Sequence, residues 1–266
     1  MFQPSMIKTD REIKILREGG KILREVLNTV AEKVKEGAKK EISSLELEEL
    51  ARKIVHKYQA EPSFLNYPVS IAKNKQIVKY PAALCISLNN EIVHGIPRPD
   101  KIIKNGDLVK FDFGVKYKNL YTDAALTVTV GQTRPVAKKL LEVTKNALKI
   151  GLKEIKPGNK LGKYGFVVEN YVQENDFQVV KKLVGHGVGY AVHEPPNIPN
   201  YGRPNKGLKL KEGMVLALEP MVNELSEDIQ LDNHDGFAYT TIDGGWAAHF
   251  EETVVVTKNG CEILTK

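Results

Sequence analysis

Cysteine is scarce in this chain of 266 residues, and the two that occur, Cys85 and Cys261, fit neither a disulfide framework nor a thiolate metal site. Such sparing use suits a reducing compartment. The sequence also has no run of about 18 apolar residues able to span a bilayer, so no membrane insertion is expected. The opening stretch, Met1 to Asp10, lacks the basic flank and apolar core of a secretory signal, which makes a cytoplasmic location the expectation. No linker, low-complexity stretch or long charge run divides the chain, and the Pro/Gly/Asn-rich loop from Pro195 to Asn205 is short. Residues 1–266 are therefore read as one domain.

What is present is ordinary for a globular protein: 42% hydrophobic and 27% charged residues. A formal net charge of +6 would attract polyanions, but Lys and Arg are interleaved with acids along the chain, the pattern of a solvated surface. A basic binding patch is the alternative that no motif demonstrates.

Helical spacing comes first. Thr9 with Glu12 three residues on forms a capping box ahead of Ile13, Leu16, Leu23, Val26, Val30 and Val34. A second helix begins at Ser43 or Ser44, carries Leu47, Leu50, Ile54 and Tyr58, and ends before Pro62. Phe64 to Tyr80 reads as a loop or small hairpin. Strand-like runs follow at Ala83 to Leu88, Leu108 to Val115 and Leu120 to Val130. Thr133 then caps a helix running to Gly151, another spans about Leu161 to Glu174, and strands return at Val179 to Val184, Met214 to Glu219, Gly236 to Ile242 and Ala247 to Leu264, the last broken at Asn259-Gly260. Two helices then strands, twice over, is an α+β chain with a hint of internal duplication and a site between its halves, although residue-level similarity is too weak for a sequence repeat.

Asp112 and Asp123 both sit inside strand-like runs, where Asp is normally depleted. A turn centred between Tyr117 and Lys118 would make them direct cross-strand neighbours, about 4.5 to 5.5 Å apart, where like charges repel unless a proton, a basic partner or a cation intervenes. Further candidates are His186 in Gly185-His-Gly-Val-Gly189, His193, Glu219 before Pro220, and Glu251 in His249-Phe250-Glu251. Singly, a histidine among glycines is more often a buried hydrogen-bonded residue, and a glutamate before proline can simply end a strand. Taken together, four carboxylates and an imidazole suit hard or borderline divalent cations.

In order and rough spacing, Asp112, Asp123, His186, Glu219 and Glu251 resemble the ligand set of type I methionine aminopeptidases, metallopeptidases of the pita-bread (creatinase/aminopeptidase) fold. Supporting phrases are Cys85-Ile-Ser, Asn90-Glu-Ile-Val-His94-Gly-Ile-Pro97, His193-Glu-Pro, Leu218-Glu-Pro-Met-Val222 and Asn259-Gly-Cys-Glu-Ile-Leu264, so the likeness runs from about residue 7 to the end. Glu219 follows His193 by only 26 positions, which leaves no room for the helical insertion of type II enzymes, and no zinc-finger extension precedes residue 7. The resemblance implies pseudo-two-fold halves, about 7–130 and 131–266, each with a helix pair and antiparallel strands, and a metal site between them. It implies two divalent ions (Co, Mn, Fe or Zn), Asp112 on one, His186 and Glu219 on the other, Asp123 and Glu251 bridging, and a hydroxide held between them as nucleophile. It also implies that Glu219 passes a proton to the leaving amine, that His193 steadies the oxyanion and that His94 contacts the substrate backbone. The implied substrate is the N-terminal methionine of nascent polypeptides with a small second residue, met by a cytoplasmic monomer in transient contact with the ribosome.

By the same likeness the side-chain pocket includes Cys85, Tyr80, Phe237 and either Phe64 or Tyr67, with extra residues near 69–79 blurring the alignment. Phe237 follows Asp235-Gly where the family commonly has tryptophan. The smaller ring keeps the pocket apolar and either loosens methionine selectivity by about 1 kcal/mol or leaves it unchanged. Glu252 stands where the family often has histidine. Competing readings are an Xaa-Pro aminopeptidase or dipeptidase of the same fold, which usually adds a large N-terminal domain, and an inactive RNA- or protein-binding relative, which would have lost ligands.

Overall fold

A computed structural model describes residues 6–36, 41–71, 76–232 and 234–266. Helix α1 spans Asp10–Glu36 and α2 spans Ser44–Lys57. Both start on a capping box, the first as expected: Thr9 and Glu12 exchange backbone and side-chain hydrogen bonds, and Ser43 and Glu46 do the same. Helices α3, Pro135–Leu152, and α4, Leu161–Gln173, form the second pair. Thr133 is not the cap of α3. Arg134 holds that position without a side-chain bond, Pro135 opens the helix where a missing N–H costs nothing, and the Thr133 hydroxyl donates instead to the Gly106 carbonyl.

The main sheet is antiparallel, and five neighbouring strands occupy its middle: Gly185–Gly187, Val215–Leu218, Glu251–Val256, Leu120–Thr129 and Leu108–Tyr117. Leu84–Leu88 pairs with Leu108–Tyr117, and Glu194–Ile198 flanks Gly185–Gly187. That last strand lies where the sequence reads only as loop. The expected Val179 to Val184 strand is reduced to Gln178–Val179, and Pro68–Ile71 pairs with Gln76–Lys79 as the small hairpin suggested for this segment.

Alternation decides which residues meet the helices. Phe111, Phe113 and Val115 pack with α1 and α2, while Leu216, Leu218, Val254 and Val256 pack with α3 and α4. The residues between them, Asp112 among them, face the other side. Each helix pair thus covers one half of the sheet and leaves the opposite face free to build a site.

The register between the two aspartate strands differs from the sequence expectation. Tyr117 pairs with Leu120, so Asp112 opposes Ala125 and Asp123 opposes Gly114. The turn centres on Lys118 and Asn119, both at positive φ, the backbone a two-residue hairpin demands. Because the slip moves the partner by two residues, both carboxylates stay on one face, as diagonal rather than direct neighbours.

Helix α1 lies hard against the C-terminal end of the chain: a Cβ at Gly20 would stand 2.1 Å from the Leu264 carbonyl oxygen. Gly20→Ala is therefore expected to lower the melting temperature by roughly 3 to 10 °C, the overpacking outweighing the gain in helix propensity. A melting curve that is unchanged or shifted upward, as propensity alone predicts, would contradict this contact.

Candidate metal centre

The five central strands bring Asp112, Asp123, His186, Glu219 and Glu251 to one face in two rows. One row runs Asp112, Ala125, Glu251 across three strands, with Glu219 following Leu218 at the end of its own strand. The other, two residues along, runs Asp123, Thr253, Ala217, His186. Ala125 and Ala217 at the intervening positions leave room between the long side chains. Thr253 ties the second row together, its hydroxyl accepting from the Asp123 N–H and donating to the Asp123 carbonyl.

His186 Nε2 lies 3.5 Å from Glu219 Oε1 and 4.0 Å from Asp123 Oδ2. Its other nitrogen, Nδ1, stands 2.9 Å from the Gly187 carbonyl, which makes Nδ1 the protonated nitrogen and leaves Nε2 a free lone pair. Asp112, Asp123, His186 and Glu251 are buried, and Asp112 Oδ1, Asp123 Oδ1 and Glu251 Oε1 have no hydrogen-bond partner. Two groups of donors, Asp123/His186/Glu251 and Glu219/His249/Glu251, each lie within 4.8 Å of one another.

Burial sets the protonation. It pushes the carboxyl of Asp112 up to about 7, with Glu219 adding to the rise, and that of Glu219 up to about 8. Asp123 and Glu251 go well above the usual range, through burial first and neighbouring carboxylates second. Burial also lowers His186 to about 3 and His94 and His249 to about 4, so these imidazoles are neutral. Four desolvated carboxyls, three orphaned oxygens and neutral imidazoles, with no lysine or arginine paired to them among the described residues, form a donor set that divalent cations satisfy, rather than an ion-pair network.

All the residues named from the sequence converge here. Tyr80, Cys85, His94, His193 and Phe237 line the same cavity of about 400 Å³ as the five candidate ligands, together with both Phe64 and Tyr67. Tyr80 and Phe237 meet edge to face at 5.5 Å, and Asp235 fixes the Phe237 backbone by accepting from the N–H groups of Phe237 and Ala238. His94 sits at φ 61 just past the Glu91–Val93 strand, its ring against Tyr239. Tyr67 lies 2.7 Å from His193 Nδ1. Burial raises the Tyr67 phenol, so it stays protonated and donates, which leaves His193 with its proton on Nε2. Glu252 points away from the cavity, with one Arg24 nitrogen of α1 donating to both its oxygens and a bond from the Thr265 hydroxyl.

Three roles escaped the sequence reading, the first belonging to a residue already named for the pocket. Tyr67 orients His193, a tertiary contact 126 residues apart that leaves no local trace. Lys8, with its side chain fully buried, pairs with Glu194 beside His193 at 2.6 Å. His249 is only 1% exposed beside Glu219, and its position two residues before Glu251 was the one available signal.

Glu219 binds more protons folded than unfolded between its ordinary value of 4.5 and about 8. Its contribution to the stability of the metal-free protein is full below pH 4.5 and is lost as the pH rises through 8. Glu219→Gln cannot ionise and escapes that loss. Melting series on chelated samples should show the stability difference moving in the variant's favour from pH 5 to 8.5, by on the order of a few kcal/mol. A difference that stays constant with pH would contradict the raised carboxyl.

Comparison with known proteins places this geometry. Residues 14–258 match the model of metallopeptidase family M24. Over 260 residues the chain is 42% identical to the methionine aminopeptidase of Aquifex aeolicus, covering 97% of each. The crystal structure of methionine aminopeptidase from Thermotoga maritima is similar with a TM-score of 0.91 at 39% identity, over 98% of both chains. A prolidase from Pyrococcus horikoshii shares the fold, with a TM-score of 0.74 at 24% identity, but this chain covers only 63% of it.

Proposed function

The chain belongs to metallopeptidase family M24, and on that footing we propose that it is a methionine aminopeptidase, a metal-dependent exopeptidase removing N-terminal methionine from nascent polypeptides whose second residue is small. The observation that carries this reading is one cavity lined both by the carboxylate and histidine cluster and by an apolar group of Phe64, Tyr67, Tyr80, Cys85 and Phe237. A cavity of about 400 Å³ suits one long side chain and the first peptide bond, not an extended polymer. Relatives of the same length favour methionine removal over Xaa-Pro cleavage.

Two divalent cations of the cobalt, manganese, iron or zinc kind fit the donor set, with Asp112, Asp123, His186, Glu219 and Glu251 holding them. Such ions supply the Lewis acidity that polarises a carbonyl and acidifies water. The chain's own groups do the rest. The apolar walls take the methionine side chain out of water, which orients the first peptide bond against the carboxylate cluster. His193, held by Tyr67 with its proton on Nε2, offers a neutral N–H to the oxygen that gains charge in the tetrahedral species. His94, neutral and buried, offers a hydrogen bond to the substrate backbone. Glu219, the most solvent-accessible of the four carboxyls, carries a proton toward the departing amine. The whole of residues 1–266 acts as one catalytic domain, monomeric and cytoplasmic, meeting its substrates as they leave the ribosome.

Chelated protein resupplied with Mn(II) or Co(II) is expected to release methionine from Met-Ala-Ser, to leave Met-Lys-Ser nearly untouched and not to cleave Ala-Pro-Ser. Cleavage of Ala-Pro-Ser would make the protein an Xaa-Pro aminopeptidase, and bound metal without any cleavage would make it a binding protein. Phe237→Trp should raise the preference for methionine over leucine or norleucine ends, about five-fold for a change of about 1 kcal/mol. Identical kcat/KM ratios in the two proteins would remove Phe237 from the specificity argument.

A further inference from the structure

His249 ends the Ala247–His249 strand, two residues before Glu251, with Met221 as its cross-strand partner two residues after Glu219. Its backbone is clamped on both sides by one hydroxyl: the Thr127 Oγ1 donates to the His249 carbonyl and accepts from the His249 N–H. The ring is 1% exposed, and neither Nδ1 nor Nε2 has a hydrogen-bond partner. A buried imidazole with both nitrogens unsatisfied is costly and uncommon unless something else engages it.

The distances say what engages it. His249 Nε2 lies 3.6 Å from Glu219 Oε2, longer than the N···O hydrogen-bond range of about 2.7 to 3.2 Å. Two donors each about 2.1 Å from one ion stand roughly 3.0 to 3.6 Å apart at coordination angles of about 90 to 120°. His186 Nε2 stands 3.5 Å from the other oxygen of the same carboxylate. Glu219 is thus flanked by two imidazoles at matching separations, one on each oxygen, and His249, Glu219 and Glu251 place one donor atom each within 4.8 Å of one another.

We propose that His249 is itself a metal ligand, the second imidazole of the centre, adding Nε2 to the donors of Glu219 and Glu251. The inference rests on the metallopeptidase reading of the site and extends its ligand set from five side chains to six. An added nitrogen donor shifts the site away from hard cations that prefer all-oxygen shells and toward imidazole-binding ions such as Fe(II), Co(II) and Zn(II).

Proton NMR of the Co(II)-loaded protein, with histidine labelled in 15N, counts the coordinated rings, because each contributes one strongly contact-shifted N–H resonance. Two such resonances are expected, one lost in His249→Leu and the other in His186→Leu, with at least a ten-fold loss of Co(II) affinity by calorimetry in His249→Leu. A single resonance, lost only in His186→Leu, would overturn the assignment of His249 while leaving the metal centre standing. Failure of the wild-type protein to retain Co(II) would overturn the metal centre and this inference together. Should either variant fail to fold, the count of labelled resonances in the wild-type protein still decides.

Discussion

The mutual repulsion of four desolvated carboxylates is the constraint on which this molecule's architecture turns. Asp112, Asp123, Glu219 and Glu251 are drawn from four strands onto one face of the sheet, with no lysine or arginine among the described residues paired to any of them. Alone, such a cluster would protonate or push the strands apart. The fold resists by packing α1 and α2 behind one half of the sheet and α3 and α4 behind the other, so that the apolar residues alternating with the acids anchor each strand from the back. Divalent cations relieve the charge that the packing tolerates.

The same logic explains the histidines. In a desolvated acidic cluster a protonated imidazole would be expected, yet burial keeps His94, His186 and His249 neutral. Neutral rings bind metal and donate single, directed hydrogen bonds. The loop that carries His193 is restrained at some distance from the chemistry: Lys8, just ahead of α1, is paired with Glu194, whose other oxygen accepts from the N–H groups of Tyr190 and Ala191. Lys8 is therefore part of the scaffold of the candidate site.

Much of the site was legible because its chemistry conflicts with local rules. Aspartates in strands, a histidine among glycines and a glutamate before proline each stand out against propensity, and their order matched a known ligand set. The helix starts were legible because Thr9/Glu12 and Ser43/Glu46 satisfy their own backbone groups within one turn. What failed needed three dimensions. The Lys118-Asn119 turn was misplaced because neither residue advertises positive φ as glycine does, and the alternation of two absorbed the error so that the carboxylates still met. Thr133 looked like a cap only because Pro135 was not recognised as the opening residue of α3. Glu252, unexplained in the sequence, is held by Arg24 on the helix side of the sheet. Tyr67 and His249 act through contacts that no spacing encodes.

Anomalous diffraction from crystals equilibrated with saturating Mn(II) tests the central claim most directly. The account predicts two strong peaks enclosed by Asp112, Asp123, His186, Glu219 and Glu251, with the orphaned oxygens of Asp112, Asp123 and Glu251 turned toward them. Strong density elsewhere with none among these side chains would mean that protons, not cations, hold the carboxylates together, and the account of the site would be wrong.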